Sequence, residues 1–171
     1  MTTTLFYLAA IIAVVSTLLA ITRTNAAHAL LYLVVSLLAV AVVFYLIGAP
    51  LAGALEVIIY AGAIMVLFVF VIMMLNVGQA TQHQEQQWLT TSAWSLPTLM
   101  CTALLAELIY VLQQHLQQPP QETMSAWVSP KEVGILLYGP YLLAVELASM
   151  LLLAGLIGAY HLGRKNGEPE Q

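Results

Sequence analysis

Apolar residues in this chain fall into five long runs, separated by short polar stretches. About 20 apolar residues rising ~1.5 Å each cross roughly 30 Å of hydrocarbon. The pattern therefore predicts an all-α fold, a membrane bundle of five spanning helices at residues 2–21, 27–47, 51–75, 93–112 and 141–162. The whole chain, 1–171, reads as a single membrane domain with a polar tail at 163–171.

The polar stretches set the connections. The first run lacks a basic start and is longer than a signal core, so it is expected to be a retained span. Residues 22–25 form a tight turn holding Arg23, with Asn25 placed to cap the second span. Gly48, Ala49 and Pro50 leave so short a turn that the second and third spans must be antiparallel neighbours. Two Gln-rich loops follow the third and fourth spans, the first around His83 and Glu85, the second holding Pro119 and Pro120. The fourth span is the least regular, since Ser92, Ser95, Pro97, Thr98 and Thr102 dilute its first half. Ser129-Pro130-Lys131-Glu132 matches a capping box with proline at the first helical position, which predicts a short helix over 130–138 broken by Gly139-Pro140.

Basic residues near the span ends are few. Arg23, Arg164 and Lys165 fall on one side of the membrane and Lys131 on the other. Positive charge favours the inner face, so the amino terminus is expected outside and the carboxyl tail inside.

Composition narrows the chemistry. The 171 residues are 61% hydrophobic and 7% charged, with a mean hydropathy of +0.92. The net charge of −4 comes largely from loops and tail, and no basic patch exists to hold a nucleic acid. Cys101 is the only cysteine, so there is no internal disulfide and no thiolate set for an iron-sulfur cluster. His28, His83, His115 and His161 lie far apart, which argues against a metal or haem site built by this chain alone. No dinucleotide or phosphate-loop fingerprint occurs. Any electrons would be carried by another chain.

What the apolar runs do contain is three carboxylates, Glu56, Glu107 and Glu146, with no Lys or Arg in any span to pair with them. Burial disfavours the charged form of a carboxyl, so these groups are protonated, hydrated, or paired with another chain. Each alone could be a satisfied structural group; three together point towards proton handling. In the third span Glu56, Tyr60, Ala63, Leu67 and Phe70 share one helical face, with Tyr60 able to donate a hydrogen bond towards Glu56. Met65, Met73 and Met74 fill gaps rather than bind metal. The Ala61-Gly62-Ala63 cluster could accommodate a π-bulge, although close packing against a neighbouring helix is the simpler explanation. In the fifth span Ala144, Ala148, Gly155 and Ala159 form a small-residue seam, with Glu146 ~200° around the axis from it. Neither face suits lipid, so the chain is expected to pack inside a larger membrane complex.

Three segments carry a resemblance. EVIIYAGAIMVLFVFVIMMLN from Glu56, NAAHALLYLVVSLLA from Asn25 and GPYLLAVELASMLLLAGL from Gly139 closely resemble the J-subunit family of bacterial NADH-quinone oxidoreductase, respiratory complex I, whose mitochondrial counterpart is chain 6. They cover about half the chain, in the expected order. The first span, the fourth span and the Gln-rich loops match poorly.

The resemblance implies a membrane-arm subunit of an enzyme that passes electrons from NADH through FMN and iron-sulfur centres to quinone and couples this to proton translocation. It implies a bacterial inner membrane and no cofactor on this chain, since FMN, clusters and quinone belong to other subunits. Its partners would be the quinone-site subunit, the small K-type subunit and the antiporter-like subunits. By the same resemblance Glu56 and Tyr60 line the proton path, and Tyr60, Ala61, Gly62, Ala63 and Met65 form a switching segment of the third helix. Two departures stand out: Ala26 replaces an expected proline, leaving the start of the second span less sharply set, and Glu107 falls where an uncharged helix is expected. No role attaches to Glu107 or Glu146. Rival readings are a subunit of a related hydrogenase or cation/proton antiporter complex, and a purely structural or assembly protein. A stand-alone carrier fits worst, for want of an internal repeat or paired broken helices.

Overall fold

In a computed structural model, residues 2–75, 91–117 and 127–164 are described, and all regular structure among them is helical. The helices are α1 (Thr2–Thr22), α2 (Ala26–Leu46), α3 (Pro50–Leu55), a π-helical segment (Glu56–Ile64), α4 (Met65–Leu75), α5 (Thr91–Gln117), α6 (Pro130–Leu137) and α7 (Leu142–Gly163). α3, the π segment and α4 are continuous and make one span. Among the described residues five helices are thus long and apolar enough to cross a membrane, so the chain is a membrane protein. The two Gln-rich loops and the polar tail lie mostly outside the described residues.

The chain divides into two compact units, Met1–Val128 and Ser129–Gln171. In the first, α2 is the hub, packed against α1, α3, the π segment, α4 and α5. It is the most buried span for that reason. Its core joins Ala9 and Ile12 of α1, Val35, Ala39 and Val42 of α2, and Leu104 of α5. Alanines at the centre let the helices approach closely where hydrophobic transfer gives no drive within lipid. Hydroxyls then fix the register: Thr17 Oγ1 and Ser36 Oγ lie 2.7 Å apart, and 2.8 and 3.2 Å from the Ala13 carbonyl oxygen. Ser16 donates to the Met100 sulfur at 3.6 Å, tying α1 to α5.

Each turn follows from local chemistry. The Asn25 side chain accepts from the N–H groups of Ala27 at 2.9 Å and His28 at 3.4 Å. α2 therefore starts at a defined cap even with alanine, not proline, at position 26. The Arg23 guanidinium lies 5.3 Å from the centre of the Tyr32 ring, a cation-π contact that holds the turn against α2. At the other end of α2, Gly48 takes φ 88°. Its N–H bonds the Tyr45 carbonyl and the Ala49 N–H the Phe44 carbonyl, a Schellman stop. Pro50 restarts helix at once, as the first residue of α3.

The chain returns to that turn after α5. Trp127 stacks edge-on against Tyr45 at 5.1 Å, and the Val128 N–H donates to the Gly48 carbonyl at 2.9 Å. The loop after the fourth span and the turn between the second and third thus share one end of the bundle, as spans of alternating direction require. Pro97 sits inside α5 without ending it, so the helix is longer than the diluted sequence suggests.

In the second unit Ser129 caps α6 as predicted. Its hydroxyl accepts from the Lys131 N–H at 3.3 Å and the Glu132 carboxylate accepts from the Ser129 N–H at 3.1 Å. A turn through Gly139 and Pro140 leads into α7, whose side chains are almost all exposed within the unit.

Candidate functional site

The third span is the one whose backbone departs from α-helix. After six α-helical residues it widens at Glu56 and stays π-helical to Ile64. Nine residues exceed the single turn in which π geometry ordinarily appears, and such widenings concentrate at functional sites. Glu56 opens the segment and is half-buried, whereas Tyr60 is 51% exposed. No hydrogen bond joins these two side chains in the described structure. Ala61 and Gly62 are half-buried and Ala63 is exposed. Met65, the residue after the segment, is buried, and its N–H points at the carbonyls of Gly62 and Tyr60.

Gly62 belongs to this widening and not to an interhelical contact. A Cβ built there would meet only the Val57 carbonyl, with its oxygen at 3.0 Å. That carbonyl lies five residues earlier in the same helix, the partner a π turn brings round. The close approach between helices occurs instead at Gly53, a residue the sequence reading passed over. There a Cβ would fall 2.8 Å from the Ala41 carbonyl oxygen of α2. The signal was available, because Ala52-Gly53-Ala54 repeats the tripeptide Ala61-Gly62-Ala63.

The other carboxylates lie elsewhere. Glu107 is 4% exposed on the packed side of α5. Neither of its oxygens has a hydrogen-bond partner among the described residues. Glu146 is exposed on α7, in the other unit, and its backbone carbonyl accepts from Ser149 at 2.7 Å. An apolar cavity of about 490 Å³ separates α2 and α3 from α5, walled by Leu38, Tyr45, Gly53, Cys101 and Leu104, with Val57 of the π segment at its edge. Among the described residues no three His, Cys, Asp or Glu side chains group as metal ligands.

Among the described residues, five helices long and apolar enough to span, one of them widened to π geometry with an acid at the start of the widening, define a polytopic membrane protein. The family model for NADH-ubiquinone/plastoquinone oxidoreductase chain 6 matches residues 16–162, and the chain belongs to that family. It is 56% identical over 164 residues to the NADH-quinone oxidoreductase subunit J of Pseudomonas aeruginosa, covering 95% of this chain and 97% of that one. The Escherichia coli protein of the same name is 53% identical over 160 residues, 94% of this chain and 85% of its own length. A Buchnera aphidicola relative, again a subunit J, is 37% identical over 159 residues. These matches take in the first and fourth spans, where the three quoted segments carried no resemblance.

Proposed function

We propose that this chain serves in the membrane arm of a proton-translocating NADH-quinone oxidoreductase, and that its third span couples quinone chemistry to proton movement. Electrons would pass from NADH through FMN and iron-sulfur centres to quinone on other subunits. The neighbours of this chain would be the quinone-site subunit, the small K-type subunit and the antiporter-like subunits. The amino terminus faces outside and the carboxyl tail inside, in a bacterial inner membrane.

The observation that carries this reading is the π segment beginning at Glu56. A π turn holds one more residue than an α turn, so converting it rotates everything beyond it around the helix axis and re-aims Tyr60 relative to Glu56. Glu56 takes up and releases protons or orders water; Tyr60, Ala61, Gly62, Ala63 and Met65 are the residues whose geometry changes. Exchange between two helix registers within one span is a bistable element of the kind that coupling requires.

The test is Glu56→Gln in inverted membrane vesicles, with NADH oxidation and lumen acidification followed together. Acidification per NADH oxidised, or turnover, falls while the assembled complex remains. Unchanged coupling removes Glu56 from the path.

A further inference from the structure

Glu107 is a carboxyl that the proposed path does not use, and its surroundings are unusual. It lies seven residues beyond Met100, on the same line of α5, and Met100 accepts the Ser16 hydroxyl of α1. Leu104, between them, belongs to the core with Ala9 and Ile12 of α1 and Val35, Ala39 and Val42 of α2. Glu107 is therefore directed into the seam where α5 meets the other two helices, 4% exposed and with both oxygens unpartnered among the described residues.

The facing elements α1 and α2, and α5 itself, carry no Lys or Arg. α1 has Tyr7 as its one titratable side chain, exposed at the surface; α2 has His28, Tyr32 and Tyr45; α5 itself adds Cys101, Tyr110 and His115. No span contains Lys or Arg, and Arg23, in the turn beside α2, lies over the Tyr32 ring.

We propose that Glu107 is a proton-binding site within this chain, distinct from the third span, and that in the assembled protein it holds its proton and the seam of α5 with α1 and α2 stays closed around it. A bare carboxylate in such surroundings is far more costly than the neutral acid. The neutral acid also has an O–H to place on a helix carbonyl, as the hydroxyls of Thr17 and Thr102 do on the carbonyls four residues before them. Loss of the proton would leave a lone charge between helices, which water would reach if α5 moved away from α1 and α2. Proton occupancy and closure of the seam are thus one equilibrium, independent of whether the π segment switches.

Infrared spectroscopy of the purified complex, wild type against Glu107→Gln, reads the protonation state directly. The expected difference is a carbonyl stretch of a protonated carboxyl, present in the wild type at neutral pH and slow to shift in D2O. Carboxylate bands in its place, whether from solvation or from a cation on a partner chain, overturn the proposal. Glu107→Leu provides a second check. A neutral acid without an obligatory partner can be replaced by an apolar side chain of similar size, so both variants assemble; loss of the complex in both means that the carboxylate itself makes a required contact.

Discussion

A side chain at Gly53 would press its first carbon to within 2.8 Å of the Ala41 carbonyl oxygen, so the third span begins backbone against backbone on α2. The obstacle is a helix carbonyl, held by its own hydrogen bond and unable to rotate away as a side chain would. Gly53 is followed within three residues by the π segment, and the contact fixes the base from which that segment departs.

Gly53→Ala should therefore destabilise the α2–α3 hairpin, and Gly53→Val more so, by ~1–3 kcal/mol as overpacking usually does. The thermal midpoint and yield of the assembled complex report this. A neutral Gly53→Val would show that the two backbones separate easily.

Gly62→Ala acts differently, because nothing but the preceding π turn crowds the position. A methyl 3.0 Å from the Val57 oxygen strains the wide turn. The regular α-turn, which does not bring that oxygen round to the position, escapes this strain. Amide hydrogen exchange across residues 56–65 should slow as α-helix gains, with coupled turnover reduced. Exchange that matches the wild type would mean that the π geometry is imposed from outside the segment.

Trp127→Ala removes the edge-on stack with Tyr45, a contact worth ~0.5–1.5 kcal/mol. The Val128 amide should then exchange faster, since its bond to Gly48 loses its neighbour. The α2–α3 turn should hold, because its own backbone bonds close it. Protection at Val128 that survives the substitution would place the anchor elsewhere.

Much of the architecture was legible because the hydrocarbon thickness translates directly into run length. Five runs became five spans, and Asn25, the Gly48 to Pro50 stop, and the Ser129 capping box each acted through bonds to residues a few positions away. Local hydrogen bonds need no knowledge of the rest of the fold. α5 was harder to delimit, since a polar first half holding Pro97 gives no local signal that the helix runs through it.

The candidate site divides along the same line. Glu56 and the glycine of Ala61-Gly62-Ala63 stood out as an acid and a weak point in an apolar run, and helical spacing put Tyr60 on the face of Glu56. Whether Tyr60 bonds Glu56 depends on the turn width between them, and the structure records no such bond.

The order of apolar runs, the absence of cations within them and the chemistry of each cap belong to the sequence by itself. Two identical Ala-Gly-Ala tripeptides, however, do opposite work: one admits a neighbouring backbone at Gly53, the other sits in a widened turn at Gly62. The burial of Glu107 likewise rests on α1 and α2 closing over one side of α5. These were decided by tertiary structure, because a small residue or an acid specifies only what a position permits, and the partner that occupies the space comes from a distant part of the chain.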